Sequence, residues 1–284
     1  MIEYIKMIIV ALVTGFMAPL PVSSAAHFSI ITKALILTND ESKLGFYFAL
    51  FGVTLSVIIF VCLRKIYFKS FKALVTKKNV KGENLKVYKN VAKNIFLSIL
   101  PMPLLFIPVG DGNLLIDYFD KFLFDNGLYL TGVACIVNAL VLVVGRWYAK
   151  QENRKLKRVC GTMSVLRMSV YQLVSYIVPG FSHVASGSVN MLMSDVHPKV
   201  MMREVYLYLA PSMFIVNIAK IVKYLINDTI IDAVQAVIGI VVFAIMSYIV
   251  MKIVAKFNVR KLFAFFAVYS AILGIGAVVL IFII

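Results

Sequence analysis

Near its start the chain reads GFMAPLPVSSAAH at positions 15–27, between apolar residues 7–13 and 28–37. Two prolines, two serines and a histidine lie where a membrane helix would have its middle. Because Pro21 has no N–H and its ring clashes with the preceding turn, one continuous helix is not expected here. Broken backbone at membrane depth is tolerated only where protein buries it or a wet cavity receives it. The stretch is therefore a candidate for a functional site.

The composition predicts an α-helical protein that crosses a membrane several times. Of the 284 residues, 62% are hydrophobic. Apolar runs of about 20 residues, enough to cross a bilayer, recur along the chain. No cleavable signal peptide is expected, since residues 1–6 carry one acid and one base and no small-residue cleavage site follows. Cys62, Cys135 and Cys160 show no metal-binding spacing, and the first two are interpreted as packing residues.

The net charge of +16 is explained by membrane topology, and no nucleic-acid partner is expected. Residues 64–93 contain ten lysines and arginines against one acid, and residues 146–167 contain seven against one. Basic residues gather in cytoplasmic loops, so both segments and the basic residues 252–261 are placed inside. There they attract anionic head groups of the membrane lipids. The acidic segments 111–125 and 227–232 are placed outside.

These assignments fix the direction of each span. The predicted spans are 44–63, 94–116 and 127–144, then 204–226, 235–251 and 262–284. The span 204–226 must start inside and end outside, so residues 165–193 must both begin and end inside. They are therefore predicted to form a re-entrant hairpin, broken within PGFSHVASG at 179–187. The first 38 residues are long enough for a similar hairpin that enters from outside.

The sequence thus predicts one integral membrane domain over residues 1–284, built as an inverted-topology repeat. Each half is a re-entrant helical hairpin plus three transmembrane helices, with residues 1–148 and 165–284 as the halves and 146–167 as a cytoplasmic linker. Broken segments at corresponding positions of such halves point to a site near the membrane midplane. One alternative stays open: if residues 7–37 form one kinked span, Met1 lies inside and the symmetry is lost.

Both broken segments combine small residues with hydroxyl and imidazole groups. The groups are Ser23, Ser24 and His27 in the first segment, and Ser182, His183 and Ser186 in the second. Together with the amides of helix N-termini they suit an oxyanion, such as the phosphate or pyrophosphate head group of a lipid. A lone serine usually bonds its own helix, so the matched pair of clusters, rather than any one residue, favours function.

Charged residues are scarce around both breaks. Glu204 is the acid nearest to the second break. It can be a residue of the site or, equally, an interfacial residue that pairs with Arg203. Lys33, on the second limb of the first hairpin, is expected to snorkel toward the interface.

Four stretches resemble the bacterial undecaprenyl-pyrophosphate phosphatases. LPVSSAAH at 20–27 resembles the LPVSSxxH core of that family, and PGFS at 179–182 resembles the start of its PGxSRSxxT motif. EVYLYLAP at 204–211 and FAVYSAILG at 266–274 resemble two later helices of the family. The resemblance covers nearly the whole chain in the right order.

The resemblance implies a protein of the bacterial cell membrane whose site opens outward. It implies removal of one phosphate from undecaprenyl pyrophosphate, the lipid carrier of cell-wall precursors, with Mg²⁺ or Ca²⁺ as the divalent cation. The implied catalytic residues are His27 as base or nucleophile, and Ser24 and Ser182 as ligands of phosphate oxygens. Substrate-binding roles are assigned to Thr14, Ser23, Gly180, His183 and Ser186. The sequence does not specify the oligomeric state; membrane folds of this size often pair, which leaves a homodimer as one open arrangement.

The chain departs from the family at its charged positions. The two family glutamates fall at Thr14 and Ala18, the motif arginine at His183, and the last-helix arginine at Ser270. A divalent cation prefers carboxylate oxygens, so no metal ligand is assigned here and the implied cation lacks its usual partners. Loss of one strong electrostatic group of this kind typically costs a factor of about 10² to 10³ in rate.

Three functions therefore stay open. The first is a divergent phosphatase that still acts on undecaprenyl pyrophosphate, which the resemblance favours. The second is a non-hydrolytic protein that binds or translocates a polyprenyl phosphate, which the local chemistry favours, since alternating-access carriers are commonly built as inverted repeats. The third is a structural or regulatory partner in envelope synthesis.

Single cysteines introduced into a cysteine-free background will test the topology. We expect Lys78→Cys and Glu152→Cys to react with a membrane-impermeant maleimide only after the cells are permeabilised, because basic loops stay in the cytoplasm. Asp120→Cys is expected to react in intact cells. Labelling of Lys78→Cys in intact cells would contradict the assignment, and the cysteine-free chain is the control for background.

Overall fold

A computed structural model describes residues 2–38, 40–75, 85–109, 114–117, 127–150, 156–157, 159–178, 180–256 and 259–280. No β-strand occurs in these ranges, which confirms the all-α prediction for the described part of the chain. The helices are α1 (Ile2–Met17), α2 (Ser24–Ala34), α3 (Glu41–Val75), α4 (Leu85–Ile99), α5 (Gly127–Ala149), α6 (Thr162–Ile177), α7 (His183–Met193), α8 (Pro198–Ile226), α9 (Ala233–Val254) and α10 (Phe263–Leu280).

Five of the described helices are long and apolar enough to cross a membrane, namely α3, α5, α8, α9 and α10. The chain is therefore a multi-pass membrane protein. The prediction of one kinked span over 94–116 is wrong, because α4 begins at Leu85 and ends at Ile99. A 3₁₀ turn, Met102–Phe106, follows it. Pro101 explains the end of α4, since proline has no N–H and disfavours helical backbone at the residue before it.

Other predicted segments are only partly visible. Helix α3 continues to Val75, so the predicted basic loop at 64–93 begins as helix. Residues 76–84, most of 111–125 and the motif residue Pro179 lie outside the described residues.

Two short helical hairpins, α1–α2 and α6–α7, are built alike. In each, the first helix has 16 residues, the second has 11, and the two helices contact each other. A serine caps the second helix each time: Ser23 accepts the N–H of Ala26 at 3.1 Å, and Ser182 accepts that of Ala185 at 3.2 Å. Such caps satisfy an N–H that the first helical turn leaves without a partner. Both predicted breaks are thus turns that end in a serine cap.

The tips of the two hairpins contact each other. The Ser182 hydroxyl donates to the carbonyl oxygen of Val22 at 2.9 Å. The longer helices pair reciprocally around this contact, α3 with α8 and α5 with α10, while α1 packs against α9 and α6 against α4. The turns of both hairpins therefore meet inside the helical assembly.

Glycines let α5 and α10 approach until their backbones touch. A Cβ on Gly132 would lie 2.7 Å from the carbonyl oxygen of Gly274, and a Cβ on Gly274 would lie 2.6 Å from that of Gly132. Small residues at helix interfaces permit this kind of packing in membranes.

The substitution Gly274→Ala is expected to lower the stability of the protein by about 1 to 3 kcal/mol, because the added methyl group collides with backbone that cannot move aside. The measurement is the thermal midpoint of the purified protein in detergent. Gly276→Ala on the same helix is the matched control, since a Cβ at that position would have nothing within 4 Å. Equal midpoints for the two variants would contradict the backbone contact between α5 and α10.

Candidate active site at the hairpin tips

A cavity of about 180 Å³ lies beside the hairpin tips. Ser23, Ser24 and Ser182, which occupy the turns, line its floor together with the first residues of α2 and α7. Aromatic rings such as Phe28 and Phe51 line the walls. The lining thus combines polar residues of the hairpin tips with apolar and aromatic side chains, as expected for a ligand with a polar head and an apolar tail.

Four residues that line this cavity each carry a buried polar atom with no hydrogen-bond partner among the described residues. They are Thr14 Oγ1, Thr131 Oγ1, the Tyr176 hydroxyl and His183 Nδ1. Buried polar atoms are nearly always hydrogen-bonded, so a cluster of unpartnered ones requires an explanation. A bound molecule with several oxygen atoms, or ordered water in its absence, would satisfy them.

His183 lies at the start of α7 with its ring against that of Tyr176, at 4.5 Å between centroids. The sequence analysis assigns it to the arginine position of the PGxSRSxxT motif. An imidazole there offers one donor or acceptor to the cavity, whereas an arginine would offer a planar fork of donors.

His27 has a different position, because it is not among the residues that line the cavity. Its Nδ1 lies 2.6 Å from the carbonyl oxygen of Ser23, and its Nε2 lies 2.6 Å from the Tyr269 hydroxyl. A carbonyl only accepts, so Nδ1 carries the proton, and in the neutral ring Nε2 accepts from Tyr269. Both ring nitrogens of His27 are hydrogen-bonded, so the side chain links the backbone of Ser23 to Tyr269 on α10.

The remaining predicted residues divide between the cavity and the packing around it. Ser24 lines the cavity, and its hydroxyl makes no hydrogen bond within the described residues. Gly180 does not line the cavity: its φ of +106° makes the turn, and a Cβ there would lie 2.7 Å from the Thr131 carbonyl oxygen. Ser186 donates to the Ser182 carbonyl oxygen at 2.9 Å and lines a second cavity of about 270 Å³.

The sequence analysis did not identify Asn138, which fixes the second hairpin tip. Its Oδ1 accepts the N–H of Ser182 at 3.2 Å, and its Nδ2 donates to the Ser270 hydroxyl at 3.2 Å. Both contacts come from helices distant in sequence. The available signal was an asparagine in the middle of an apolar span, where polar groups are costly.

The charges of the cavity do not fit a divalent cation. Lys33 and Lys220 line it, and no aspartate or glutamate does so among the described residues. The described chain also contains no group of three histidine, cysteine or acidic side chains arranged to hold a metal. Glu204 is engaged elsewhere, since it pairs with Arg203 at 2.8 Å and accepts the N–H of Cys160 at 3.3 Å. Mg²⁺ and Ca²⁺ require hard, mostly anionic oxygen ligands, which this lining does not provide.

Comparison with known proteins identifies the family. A family model described as bacitracin resistance protein BacA matches residues 7–276. The chain belongs to this BacA family. An undecaprenyl-diphosphatase of Desulfitobacterium hafniense is 24% identical over 279 residues, covering 97% of this chain and 95% of the relative. Undecaprenyl-diphosphatase 1 of Pseudoalteromonas translucida is 24% identical over 283 residues, covering 97% of each chain.

A third relative, an undecaprenyl-diphosphatase of Enterococcus faecalis, is 24% identical over 285 residues, covering 96% of this chain and 95% of its own. The full-length matches confirm the resemblance that the LPVSSAAH and PGFS stretches indicate. This BacA-family chain is an undecaprenyl-diphosphatase-like protein of the bacterial cell membrane.

The contact between His27 and α10 predicts a loss of stability in Tyr269→Phe. The substitution leaves the buried Nε2 of His27 without its partner, which typically costs about 1 to 3 kcal/mol. The thermal midpoint in detergent measures this loss. The control is Tyr129→Phe on α5, whose side chain is 56% exposed and should tolerate the change. An unchanged midpoint for Tyr269→Phe would show that Nε2 has another partner.

Proposed function

We propose that the cavity binds the diphosphate head group of a polyprenyl carrier lipid and that the protein removes the terminal phosphate. The hydroxyl-bearing residues and His183 that line the cavity carry this proposal, because hydroxyl and imidazole groups can bind the oxygens of a diphosphate. The apolar walls are suited to the first units of the prenyl chain. The names of the relatives support undecaprenyl diphosphate as the lipid.

Ser24 and His183 are the groups best placed for chemistry. We expect the Ser24 hydroxyl to donate to a non-bridging oxygen of the terminal phosphate. The His183 imidazole accepts a proton from the attacking water, a step that typically contributes about 10² to 10⁴ in rate. Water attacks the terminal phosphorus, the bond from that phosphorus to the bridging oxygen breaks, and undecaprenyl phosphate and inorganic phosphate are released.

The role assigned to His27 changes in this proposal. Action as base or nucleophile would require its ring to leave both Ser23 and Tyr269. In the observed arrangement His27 instead positions Ser23 at the floor of the cavity, and Ser182 holds the two tips together.

The architecture supports the inverted repeat as part of the proposal. The hairpins have equal helix lengths, and the pairing of helices is reciprocal between residues 1–148 and 165–284. We propose that both hairpins re-enter the membrane and that the cavity opens outward, past Lys33 at the end of α2. The homodimer stays a prediction.

A second candidate function is binding or translocation of the lipid without hydrolysis. The observation that favours it is the engagement of His27 and Ser182 in packing, together with a described cavity lining that contains no carboxylate. Such a site would hold the head group but lack groups that stabilise charge as the bridging bond breaks.

Phosphate release from undecaprenyl diphosphate by the purified protein separates the two functions. For a phosphatase, we expect release by the wild type and a loss of about 10²-fold in Ser24→Ala, because one donor to the transition state is removed. Ser98→Ala is the matched control, since the buried Ser98 hydroxyl donates to its own helix at Ile95. Full release by Ser24→Ala would contradict the proposed role of this hydroxyl.

If the wild type binds the lipid and releases no phosphate, a variant that restores the family residues will distinguish the cause. Thr14→Glu and Ala18→Glu combined with His183→Arg should then produce metal-dependent hydrolysis. No gain of hydrolysis would contradict a pocket that has kept its lipid site and lost only its catalysts.

A further inference from the structure

The second cavity, of about 270 Å³, lies along helices that also line the first. Helix α5 lines the first cavity at Thr131 and the second with residues between 137 and 144. Helix α7 lines the first cavity at His183 and the second with residues between 186 and 193. In both helices the residues of the second cavity follow at helical spacing, so each helix presents one face to it.

Helix α6 and the turn after it show the same arrangement. Tyr176, near the end of α6, lines the first cavity, and Tyr171, farther from the turn, lines the second. Phe181, in the turn between α6 and α7, lines both cavities. The two cavities therefore follow one another along the same three helices, and the Phe181 side chain borders both.

The lining of the second cavity is mainly apolar. Helix α5 contributes three valines and a leucine, and no lysine, arginine, aspartate or glutamate is among the described residues that line it. The two polar residues of α7 already donate to backbone carbonyl oxygens, Ser186 to Ser182 at 2.9 Å and Asn190 to Ser164 at 2.8 Å. A ligand that complements this lining is therefore an apolar chain.

The second cavity is open at the surface of the protein on its α5 side. Val137, Leu140 and Val144 line it and are exposed. Because α5 is long and apolar enough to cross a membrane, these side chains face lipid. An apolar chain can enter from the membrane without crossing water. The hydrophobic effect adds little between lipid and such a surface, so binding there depends on van der Waals fit.

The position of the second cavity suits the chain of a lipid whose head lies at the hairpin tips. In the outer leaflet of a membrane, the chain of a lipid lies deeper than its head. If the first cavity opens outward, as proposed above, the chain of a bound lipid points inward. The second hairpin is proposed to begin and end inside, so α7 and the second cavity extend inward from the tip.

An acyl chain of the bilayer is the alternative occupant of the second cavity. The continuity of the two cavities favours the prenyl chain of the carrier lipid, because a head group held at the tips keeps its own chain beside Phe181. That chain is also too long to lie in the first cavity together with its head group.

The geometry points to the second cavity as the binding site of the prenyl chain. The diphosphate lies at the hairpin tips, and the chain passes Phe181 and lies between α5 and α7. This inference rests on the proposed function and adds to it the surface that recognises a long prenyl chain.

The test is equilibrium binding of undecaprenyl diphosphate and of the short-chain farnesyl diphosphate to the purified full-length protein in detergent. A helix rises 1.5 Å per residue, so the Val144 backbone lies roughly 20 Å along α5 from Thr131, beyond the reach of the short chain. We expect Val144→Trp to weaken binding of undecaprenyl diphosphate about tenfold, because the indole displaces the chain from its contacts. Binding of farnesyl diphosphate should be unchanged.

Two further variants make the result specific. Val143→Trp is the matched control, since Val143 is 54% exposed, Val144 is 45% exposed, and only Val144 lines the second cavity. It should leave the binding of both lipids unchanged. Val137→Trp, at the end of the cavity nearer the tips, should weaken the binding of both. The thermal midpoint without lipid verifies that each variant is folded.

The outcomes separate this inference from the function on which it rests. Equal affinities of Val143→Trp, Val144→Trp, Val137→Trp and the wild type for undecaprenyl diphosphate would overturn the chain site and leave the proposed lipid substrate intact. An equal loss for both lipids in Val144→Trp would also overturn it, because the effect would not depend on the chain. No binding of either lipid by the folded wild type would overturn the proposed function and this inference together.

Discussion

The hydrogen bond between the Ser182 hydroxyl and the Val22 carbonyl oxygen joins two segments of broken backbone that neither hairpin could bury alone. Every buried polar backbone group must find a partner, because each unsatisfied group costs about 1 to 3 kcal/mol. The serine caps, the contact between the tips and the side chain of Asn138 meet much of this requirement. The cavity exists beside that junction because both hairpins end there.

The need of buried polar groups for hydrogen-bond partners also explains why a residue can match the family motif and yet serve the packing of the fold. His27 and Ser182 have the identity that the family pattern implies, yet their polar atoms hold the two tips in place. Hydroxyl-bearing residues and His183 line the cavity instead. The described lining of the cavity contains two lysines and no carboxylate.

The sequence by itself determined the helical class, the membrane location, the two proline-rich breaks and the family. These follow from local patterns: apolar runs of spanning length, prolines that cannot continue a helix, and a specific motif at 20–27. Local patterns also located Ser23, Ser24, Ser182 and His183 in one cavity, since all four stand at the broken ends of helices. The sequence analysis recognised the prolines that follow α4, but its predicted span begins at residue 94, after the start of the helix at Leu85. An amphipathic helix that begins inside a basic segment has a weak apolar signal.

Only the tertiary structure decided which of these side chains face the cavity. His27 turns toward Tyr269 because α10 packs beside α5, which in turn contacts α2, and these helices are far apart in sequence. Asn138 and Lys220 join the site for the same reason, since each lies on a long helix whose neighbours no local pattern specifies. The orientation of a polar group in a membrane interior depends on which partners the assembled helices bring within hydrogen-bonding distance, and that is a property of the packed fold.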